Sequence, residues 1–391
     1  GTKLSSALEL PWLGIDAKGL PKLPKEHMEA LKAALGEGNF TEAAAKAKEA
    51  LEKADKITIN IAVTGEAGSG KSSFVNAIRG LKDRVHGAAA IGVTEMTMEA
   101  IAYPHPTYPN VTVWDLPGIG TQKFKPDKYL EKVEFSLYDF FIIISCTRFK
   151  YHDIELAQEI QRLGKKFYFV RPKVDQDLTN EKRHYEEEGI LNQRGMASSR
   201  VFLVSRGDLG KYDYPKLQET LVDELPGHKR LTLLRSLSNV SKETLEKKKE
   251  QLQTQIWWKS LVSCGIAAVP IPGLSIACDV AMLVTSLKEF CRDFGLDENS
   301  LSALARRTKV PIAELKAVIK SPLSEKITKD LVIEILTKSV SLPTTYFMLQ
   351  NFLDAAAADT VRVLEANETG FLAQMLSHFP PGCPCPGRSF L

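Results

Sequence analysis

Residues Gly65–Ser72 constrain this chain more than any other segment does. They read Gly-Glu-Ala-Gly-Ser-Gly-Lys-Ser and follow the pattern G-x-x-x-x-G-K-S. An apolar run precedes them at 57–63, and a helix-like stretch follows at 73–78. A loop that surrounds a phosphate must turn several backbone N–H groups inward, and glycines allow that curvature. The pattern between a strand and a helix therefore predicts a P-loop that binds a nucleoside triphosphate.

The side chains of this loop have separate predicted roles. Lys71 is expected to reach the β- and γ-phosphates, and Ser72 is expected to ligate Mg²⁺ through its hydroxyl. The helix that begins here adds the positive end of its dipole. A glycine-rich turn that only ends a strand is the alternative, but it leaves the two flanks unexplained. The predicted nucleotide contacts of the loop are Gly65, Glu66, Gly68, Ser69, Gly70, Lys71, Ser72 and Ser73.

The segment 56–227 has the pattern of an α/β domain. Short apolar runs alternate with helical stretches, and strands of a parallel sheet that helices cover on both faces have this pattern. We therefore predict a P-loop GTPase fold with a mostly parallel sheet and helices on both faces. The predicted strands lie at 57–63, 111–114, 139–145, 167–170 and 201–204.

Helix-forming residues dominate on either side of that domain. We predict an N-terminal helical segment at 1–55, which includes a helical hairpin, and a C-terminal helical domain at 228–378. A chain of 391 residues has room for two or three domains. The proline-rich end at 379–391 is expected to be disordered. The predicted C-terminal helices lie at 242–262, 276–295, 299–320 and 328–368.

Charge and the chain termini bear on localisation. The 51 basic and 48 acidic residues give a net charge of +3, which argues against a dedicated nucleic-acid binder. Gly1 to Ser5 fit the pattern for N-myristoylation, although a chance match is the alternative. The apolar stretch Leu261–Leu287 is read as two helices around a Pro-Gly turn, with a membrane span as the alternative. We expect a cytoplasmic protein that associates peripherally with intracellular membranes.

The base is predicted from the segment after the strand at 167–170. Lys173 and Asp175 follow that strand, Lys173 to lie along the base and Asp175 to accept from its N1–H and amine. Adenine presents the wrong edge to a carboxylate, so guanine is favoured. Pro172 stands where such a motif usually has Asn or Thr, whose side chain braces neighbouring loops. Its presence is expected to reduce rigidity more than base selection.

A γ-phosphate sensor is predicted at the end of the strand 111–114. Asp115 and Gly118 form the pattern Asp-x-x-Gly, in which Asp115 holds Mg²⁺ and the Gly118 N–H contacts the γ-phosphate. Thr97 is the preferred second hydroxyl for Mg²⁺, with Thr94 as the alternative. Ile119 occupies the position where many small GTPases have a water-orienting glutamine. Hydrolysis by the isolated molecule is therefore expected to be slow and to need groups from a partner or a second copy.

Longer phrases resemble the interferon-inducible immunity-related GTPases. These phrases begin at Asp115 (Asp-Leu-Pro-Gly-Ile-Gly), Tyr138 (Tyr-Asp-Phe-Phe-Ile-Ile-Ile-Ser) and Tyr168 (Tyr-Phe-Val-Arg-Pro-Lys-Val-Asp). The resemblance implies a dynamin-like GTPase that binds GDP and GTP and dimerises or oligomerises with GTP. It also implies action on membranes of vacuoles that hold intracellular pathogens, and related GTPases as further partners.

The resemblance also implies roles for particular residues. Lys71 is typical of the class that hydrolyses GTP across a dimer of GTPase domains. Glu95 matches a catalytic carboxylate, and Arg148 an interface residue with Lys150 beside it. Ser205 matches the serine of the last base-contacting loop. The predicted catalytic set is therefore Lys71, Glu95, Thr97 and Arg148.

Two other functions remain open. Ile91, Pro172 and Arg206 depart from the family pattern, and the segments at 180–200 and 338–345 look shorter than usual. Ile91, Pro172 and the shortened segments would suit a nucleotide-gated scaffold that binds GDP or GTP and hydrolyses little. An ATP-dependent enzyme is the third hypothesis.

Overall fold

The protein consists of two compact units. One unit contains the described residues of Lys53–Lys248, and the other contains those of Gly1–Glu52 and Lys249–Leu391. The structure is a computed structural model, and it describes residues 34, 37, 39–91, 99–119, 125–145, 149–172, 201–205, 209–210, 212–267, 274–321, 327–338 and 345–377.

Strands and helices are interspersed as far as residue 204, and every described element after it is a helix. A short 3₁₀ helix, Phe135–Leu137, precedes β4. In chain order the elements are α1 Phe40–Asp55, β1 Ile59–Gly65, α2 Lys71–Ile78, β2 Ile101–Pro104, β3 Val111–Asp115, α3 Pro126–Lys132, β4 Phe140–Ile144, α4 Tyr151–Arg162, β5 Lys166–Pro172, β6 Val201–Val204, α5 Tyr214–Glu224, α6 Gly227–Ser236, α7 Lys242–Ala267, α8 Leu274–Asp293, α9 Glu298–Thr308, α10 Ile312–Ala317, α11 Lys329–Lys338 and α12 Thr345–Ser377.

The six strands form one mixed sheet in the order β2-β3-β1-β4-β5-β6. Five strands run parallel, and β2 pairs with β3 in the antiparallel direction. The predicted fold class, a mostly parallel sheet with helices, is confirmed. Strand β2 is not among the predicted strands. Its residues are mostly exposed and it ends in Pro104, so this edge strand lacks the apolar pattern of the others.

Alternate residues of the central strands enter two different cores. On β4, Phe140, Ile142 and Ile144 pack into one buried cluster, whereas Phe141 and Ile143 pack into another. Because side chains alternate across a strand, the two clusters lie on opposite faces of the sheet. Residues of α2, α5 and α6 complete the first cluster, and residues of α3 and α4 complete the second. Helices therefore cover both faces.

The segments predicted to be helical on either side of the α/β domain are helical where the structure describes them, but some helices have other bounds than predicted. The prediction of one helix at 299–320 is wrong, because two separate helices, α9 and α10, occupy this segment. Lys309 has φ 63° between them, and Pro311 follows as the N-cap of α10. The predicted helix 328–368 corresponds to α11 and α12, and residues 339–344 between them lie outside the described part. The first arm of the predicted N-terminal hairpin lies outside it as well.

None of the helices within the described residues is long and apolar enough to span a membrane. The middle of the apolar stretch Leu261–Leu287, at 268–273, lies outside those residues, and α7 and α8 flank it. Two helices are therefore present where two were predicted.

Candidate nucleotide-binding site

The predicted site residues that the structure describes lie where the parallel strands end. The P-loop follows β1, Asp115 is the last residue of β3, and Ser205 follows β6. Because parallel strands present their carboxyl ends at one edge of a sheet, these residues share that edge. Ligands of open α/β sheets bind in the crevice outside this edge.

The backbone of the P-loop requires glycine at Gly65. Gly65 has φ 139°, and a Cβ there would lie 2.1 Å from the Ile144 carbonyl oxygen of the neighbouring strand β4. Gly70, with φ 101°, caps α2, and a Cβ there would lie 3.5 Å from Cγ of Pro172. The Pro172 ring therefore lies beside the P-loop. This is the position at which the sequence predicted reduced rigidity, because Pro172 replaces the usual Asn or Thr.

Lys71 is buried inside the loop. Only 7% of its surface is exposed, and its Nζ donates to the Gly65 oxygen at 3.1 Å and to the Glu66 oxygen at 2.9 Å. A buried ammonium group needs such acceptors because desolvation otherwise disfavours it. The same position at the start of a helix suits phosphate oxygens.

Ser72 and Asp115 meet between the P-loop and β3. Ser72 Oγ donates to Asp115 Oδ2 at 2.6 Å, and Asp115 is 1% exposed. A serine hydroxyl and a carboxylate are oxygen donors of the kind that Mg²⁺ prefers. Within the described residues, no group of three or more His, Cys, Asp or Glu could hold a metal ion. The pair of Ser72 and Asp115 fits Mg²⁺, because this ion usually takes one or two protein oxygens and completes its shell with phosphate and water.

Ile119 is part of the hydrophobic core. Its side chain is 3% exposed and packs in the cluster that contains Leu116 and Leu130. Its backbone N–H donates to the Gly65 oxygen at 3.2 Å. A buried aliphatic side chain has no group that could orient a water molecule.

Tyr129 connects the start of the P-loop with the loop that follows β3. No sequence motif pointed to this residue. This residue of α3 places its hydroxyl 2.8 Å from Thr64 Oγ1 and 2.9 Å from the Pro117 oxygen. Thr64 precedes the P-loop, and Pro117 precedes Gly118. Its partners are 65 and 12 residues away in the sequence, and no motif connects them.

Glu66 and Lys150 form an ion pair at the surface beside the P-loop. Lys150 Nζ lies 2.5 Å from Glu66 Oε2, and the two side chains are 57% and 26% exposed. The backbone N–H of Lys150 donates to Asp153 Oδ2 at 2.9 Å. Burial raises the pKa of Asp153 to about 6, and the nearby Glu66 adds to this rise. Lys150 and its charged partner Glu66 thus lie at the P-loop.

The structure covers part of the predicted site. Ser69, Ser73 and Ser205 are buried at the predicted edge, and Gly118 lies in the loop after Asp115. The remaining predicted residues lie outside the described part of the chain, so their roles stay predictions: Glu95, Thr97, Arg148, Lys173 and Asp175.

Comparison with known proteins identifies relatives over most of the chain. A family profile described as interferon-inducible GTPase (IIGP) matches residues 24–374. Interferon-inducible GTPase 5 of Rattus norvegicus is 39% identical over 391 residues, which cover 89% of this chain and 84% of the relative. Interferon-inducible GTPase 1 of Mus musculus is 36% identical, with 88% and 91% covered.

Among solved structures, the G domain of the T. maritima FeoB iron transporter is 18% identical. The match covers 42% of this chain and 98% of that structure, with a TM-score of 0.28. A likeness of this size supports no conclusion about this chain.

Proposed function

The chain belongs to the interferon-inducible GTPase family, and we propose that it hydrolyses GTP at the P-loop with help from a second copy of itself. Guanine-nucleotide binding and GTPase activity follow from the family. One observation supports the finer proposal. The P-loop edge has side chains suited to phosphate and metal, namely Lys71, Ser72 and Asp115. Ile119, however, is buried where a water-orienting side chain would be needed.

The phosphate chain binds by exchange of hydrogen-bond partners. Lys71 leaves the Gly65 and Glu66 carbonyl oxygens and donates to the β- and γ-phosphates instead. The N–H groups of the loop and of the first turn of α2 supply further donors. Gly118 directs its N–H at the γ-phosphate, so this loop distinguishes GTP from GDP.

Mg²⁺ is the implied metal, and Ser72 and Asp115 would hold it. The bound ion would supply positive charge that offsets the negative charge developing on the phosphates during transfer. Thr97 is proposed as the second hydroxyl near the ion. The Ser72 hydroxyl, which now donates to Asp115, would turn its lone pair to the metal.

Lys173, Asp175 and Ser205 are proposed to read the guanine base. The test is competition between GTP and ATP for the purified protein and for Asp175→Asn. The parent protein should prefer GTP by a hundredfold or more, on the order of 3 kcal/mol, because a carboxylate pairs with N1–H and the amine of guanine alone. Asp175→Asn should lose that preference and gain affinity for xanthosine triphosphate. A parent protein that binds ATP as well as GTP contradicts the proposal.

The second copy is proposed to complete hydrolysis across paired GTPase domains. Glu95 would act as the catalytic carboxylate, and Arg148 with Lys150 would lie at the interface. The exposed ion pair between Lys150 and Glu66 lies beside the phosphate loop and supports this location. Related GTPases of the same family could take the place of the second copy.

We also propose that the protein acts peripherally at intracellular membranes, including those of pathogen vacuoles. The support is the family. Several weak membrane contacts on linked copies bind more tightly than one, so self-association would add the avidity that stable binding needs. Flotation of the protein with vesicles of phosphatidylcholine and phosphatidylserine should be stronger with a GTP analogue than with GDP. Equal flotation in both states contradicts the proposal.

A further inference from the structure

The hydroxyl of Tyr129 lies in a position that the nucleotide motifs do not explain. The residue belongs to α3, and its ring packs in the core cluster with Leu116 and Ile119. The hydroxyl is buried and contacts two groups at hydrogen-bond distance, Thr64 Oγ1 at 2.8 Å and the Pro117 oxygen at 2.9 Å. A buried polar group with two well-spaced partners is a specific arrangement and not an incidental one.

The direction of both hydrogen bonds can be assigned. The Pro117 carbonyl oxygen can only accept, so the Tyr129 hydroxyl donates its single proton there. The Tyr129 oxygen then accepts from the Thr64 hydroxyl. Burial raises the pKa of Tyr129, so the donor remains protonated at neutral pH. The chain of bonds therefore runs from Thr64 through Tyr129 to Pro117.

These bonds connect the residues that precede the two phosphate-facing glycines. Thr64 is next to Gly65, and Pro117 is next to Gly118. The Pro117–Gly118 peptide bond is trans, so its C=O and N–H groups point in opposite directions. Because Tyr129 holds the C=O, it fixes the direction of the Gly118 N–H in the same peptide plane.

Two backbone bonds hold the ends of this loop against the first strand. The Leu116 N–H donates to the Val63 oxygen at 2.9 Å, and the Ile119 N–H donates to the Gly65 oxygen at 3.2 Å. Between them, Pro117 has no N–H of its own. Among the contacts of the described residues, the Tyr129 hydroxyl is thus the side-chain group that sets the plane of the central peptide.

We propose that Tyr129 is a positioning residue that, together with Thr64, aims the Gly118 N–H at the γ-phosphate. The inference rests on the role of Gly118 in the proposed function. It predicts that the hydroxyl contributes to the recognition of GTP and to its hydrolysis, and not to the recognition of GDP. GDP has no γ-phosphate for Gly118 to contact.

The test is Tyr129→Phe, which keeps the ring in the core and removes the hydroxyl. Affinity for GDP should stay within about twofold, while affinity for a non-hydrolysable GTP analogue should fall about fivefold to twentyfold, as for a lost hydrogen bond near charge. The kcat for GTP should fall more than KM rises. Tyr168→Phe is the matched control, because Tyr168 is also a buried tyrosine whose hydroxyl donates to one side chain, Glu224 Oε2 at 2.8 Å, in a part-buried bond. This control should leave both affinities unchanged.

The Thr64→Val variant tests the chain of bonds. If Thr64 acts through Tyr129, the double variant Thr64→Val/Tyr129→Phe should lose no more GTP-analogue affinity than Tyr129→Phe alone. Equal losses for GDP and the GTP analogue, or no loss for either, would overturn the inference, and so would additive effects of the two substitutions.

A nucleotide-free measurement separates this inference from the proposed function. Amide hydrogen exchange at Ile119 should become faster in Tyr129→Phe and stay unchanged in Tyr168→Phe, because the loop loses its anchor. Unchanged exchange in Tyr129→Phe overturns the positioning role. Failure of the parent protein to distinguish GTP from GDP would instead count against the role of Gly118, and the exchange result would still decide the role of Tyr129.

Discussion

Lys71 is a buried cation whose partners belong to the loop that it serves. Its bonds to the Gly65 and Glu66 oxygens compensate for the loss of water around the ammonium group. In the proposed site, a nucleotide would replace these two neutral acceptors with charged phosphate oxygens, and hydrogen bonds between charged groups are stronger. This exchange of partners would favour the bound state.

Gly65 offers a direct steric test of the loop. Gly65→Ala would bring a Cβ to 2.1 Å from the Ile144 oxygen, and backbone atoms of β1 or β4 would have to move. We expect the variant to lose about 2 to 4 kcal/mol of unfolding free energy, as for severe overpacking with strain, and to lose GTP binding. Urea denaturation and nucleotide titration measure the two effects.

Gly164→Ala is the matched control for Gly65→Ala. Gly164 also has a positive φ, 72°, but a Cβ there meets nothing within 4 Å. Gly164→Ala should lower the free energy of unfolding by only about 1 to 2 kcal/mol, because alanine disfavours the left-handed backbone, and nucleotide binding should stay intact. If both variants lose the same stability and both bind GTP, the close approach of Gly65 to β4 does not matter.

Residues with a local motif could be predicted from the sequence, and Tyr129 could not. Ser72 and Asp115 each belong to a short pattern with its own context, and their pairing at 2.6 Å agrees with the shared role expected of them. Tyr129 acts through a threonine and a backbone carbonyl that are distant in the sequence. Any tyrosine in a helix can pack in a core, so the sequence holds no signal for its hydroxyl.

At the scale of elements, apolar runs located the five parallel strands. These strands are covered on both faces, so nearly every residue is apolar and the runs stand out from their surroundings. Strand β2 escaped prediction because only its inner edge pairs and its residues remain mostly exposed. The end of α9 could not be predicted from the sequence pattern. It depends on Lys309 adopting φ 63°, a conformation that a lysine in a helical pattern does not signal.

The two ends of the sheet differ in chemistry, and this difference explains the position of the site. At the carboxyl edge, glycines, hydroxyls and carboxylates follow successive strands. At the other edge, Asp139 pairs with Lys229 at 2.6 Å and accepts from the Asn60 N–H at 3.0 Å, so its charge serves the fold. The carboxyl edge combines a glycine loop with a helix N-terminus, which is the arrangement that phosphate needs.

At the scale of the whole molecule, the central claim concerns what one copy lacks. In the proposed site, the P-loop, Ser72 and Asp115 of one copy would bind the phosphates and Mg²⁺, whereas the Ile119 side chain is buried in the core and cannot orient water. Groups from a second copy would supply the missing part of the hydrolytic machinery, and related GTPases gain large rate factors from groups supplied in trans. Turnover should then depend on how many molecules are paired.

The decisive measurement is the GTP turnover per molecule over a hundredfold range of protein concentration, with saturating GTP and Mg²⁺. It is made for the parent protein, for Lys150→Ala and for Lys166→Ala. Lys166 is the control, because its side chain is 51% exposed, similar to the 57% of Lys150. It also pairs with a glutamate, Glu224. We predict that turnover per molecule rises at least tenfold for the parent and for Lys166→Ala, and rises much less for Lys150→Ala. A flat profile for the parent would contradict activation by a second copy, and no turnover at any concentration would favour a nucleotide-gated scaffold instead.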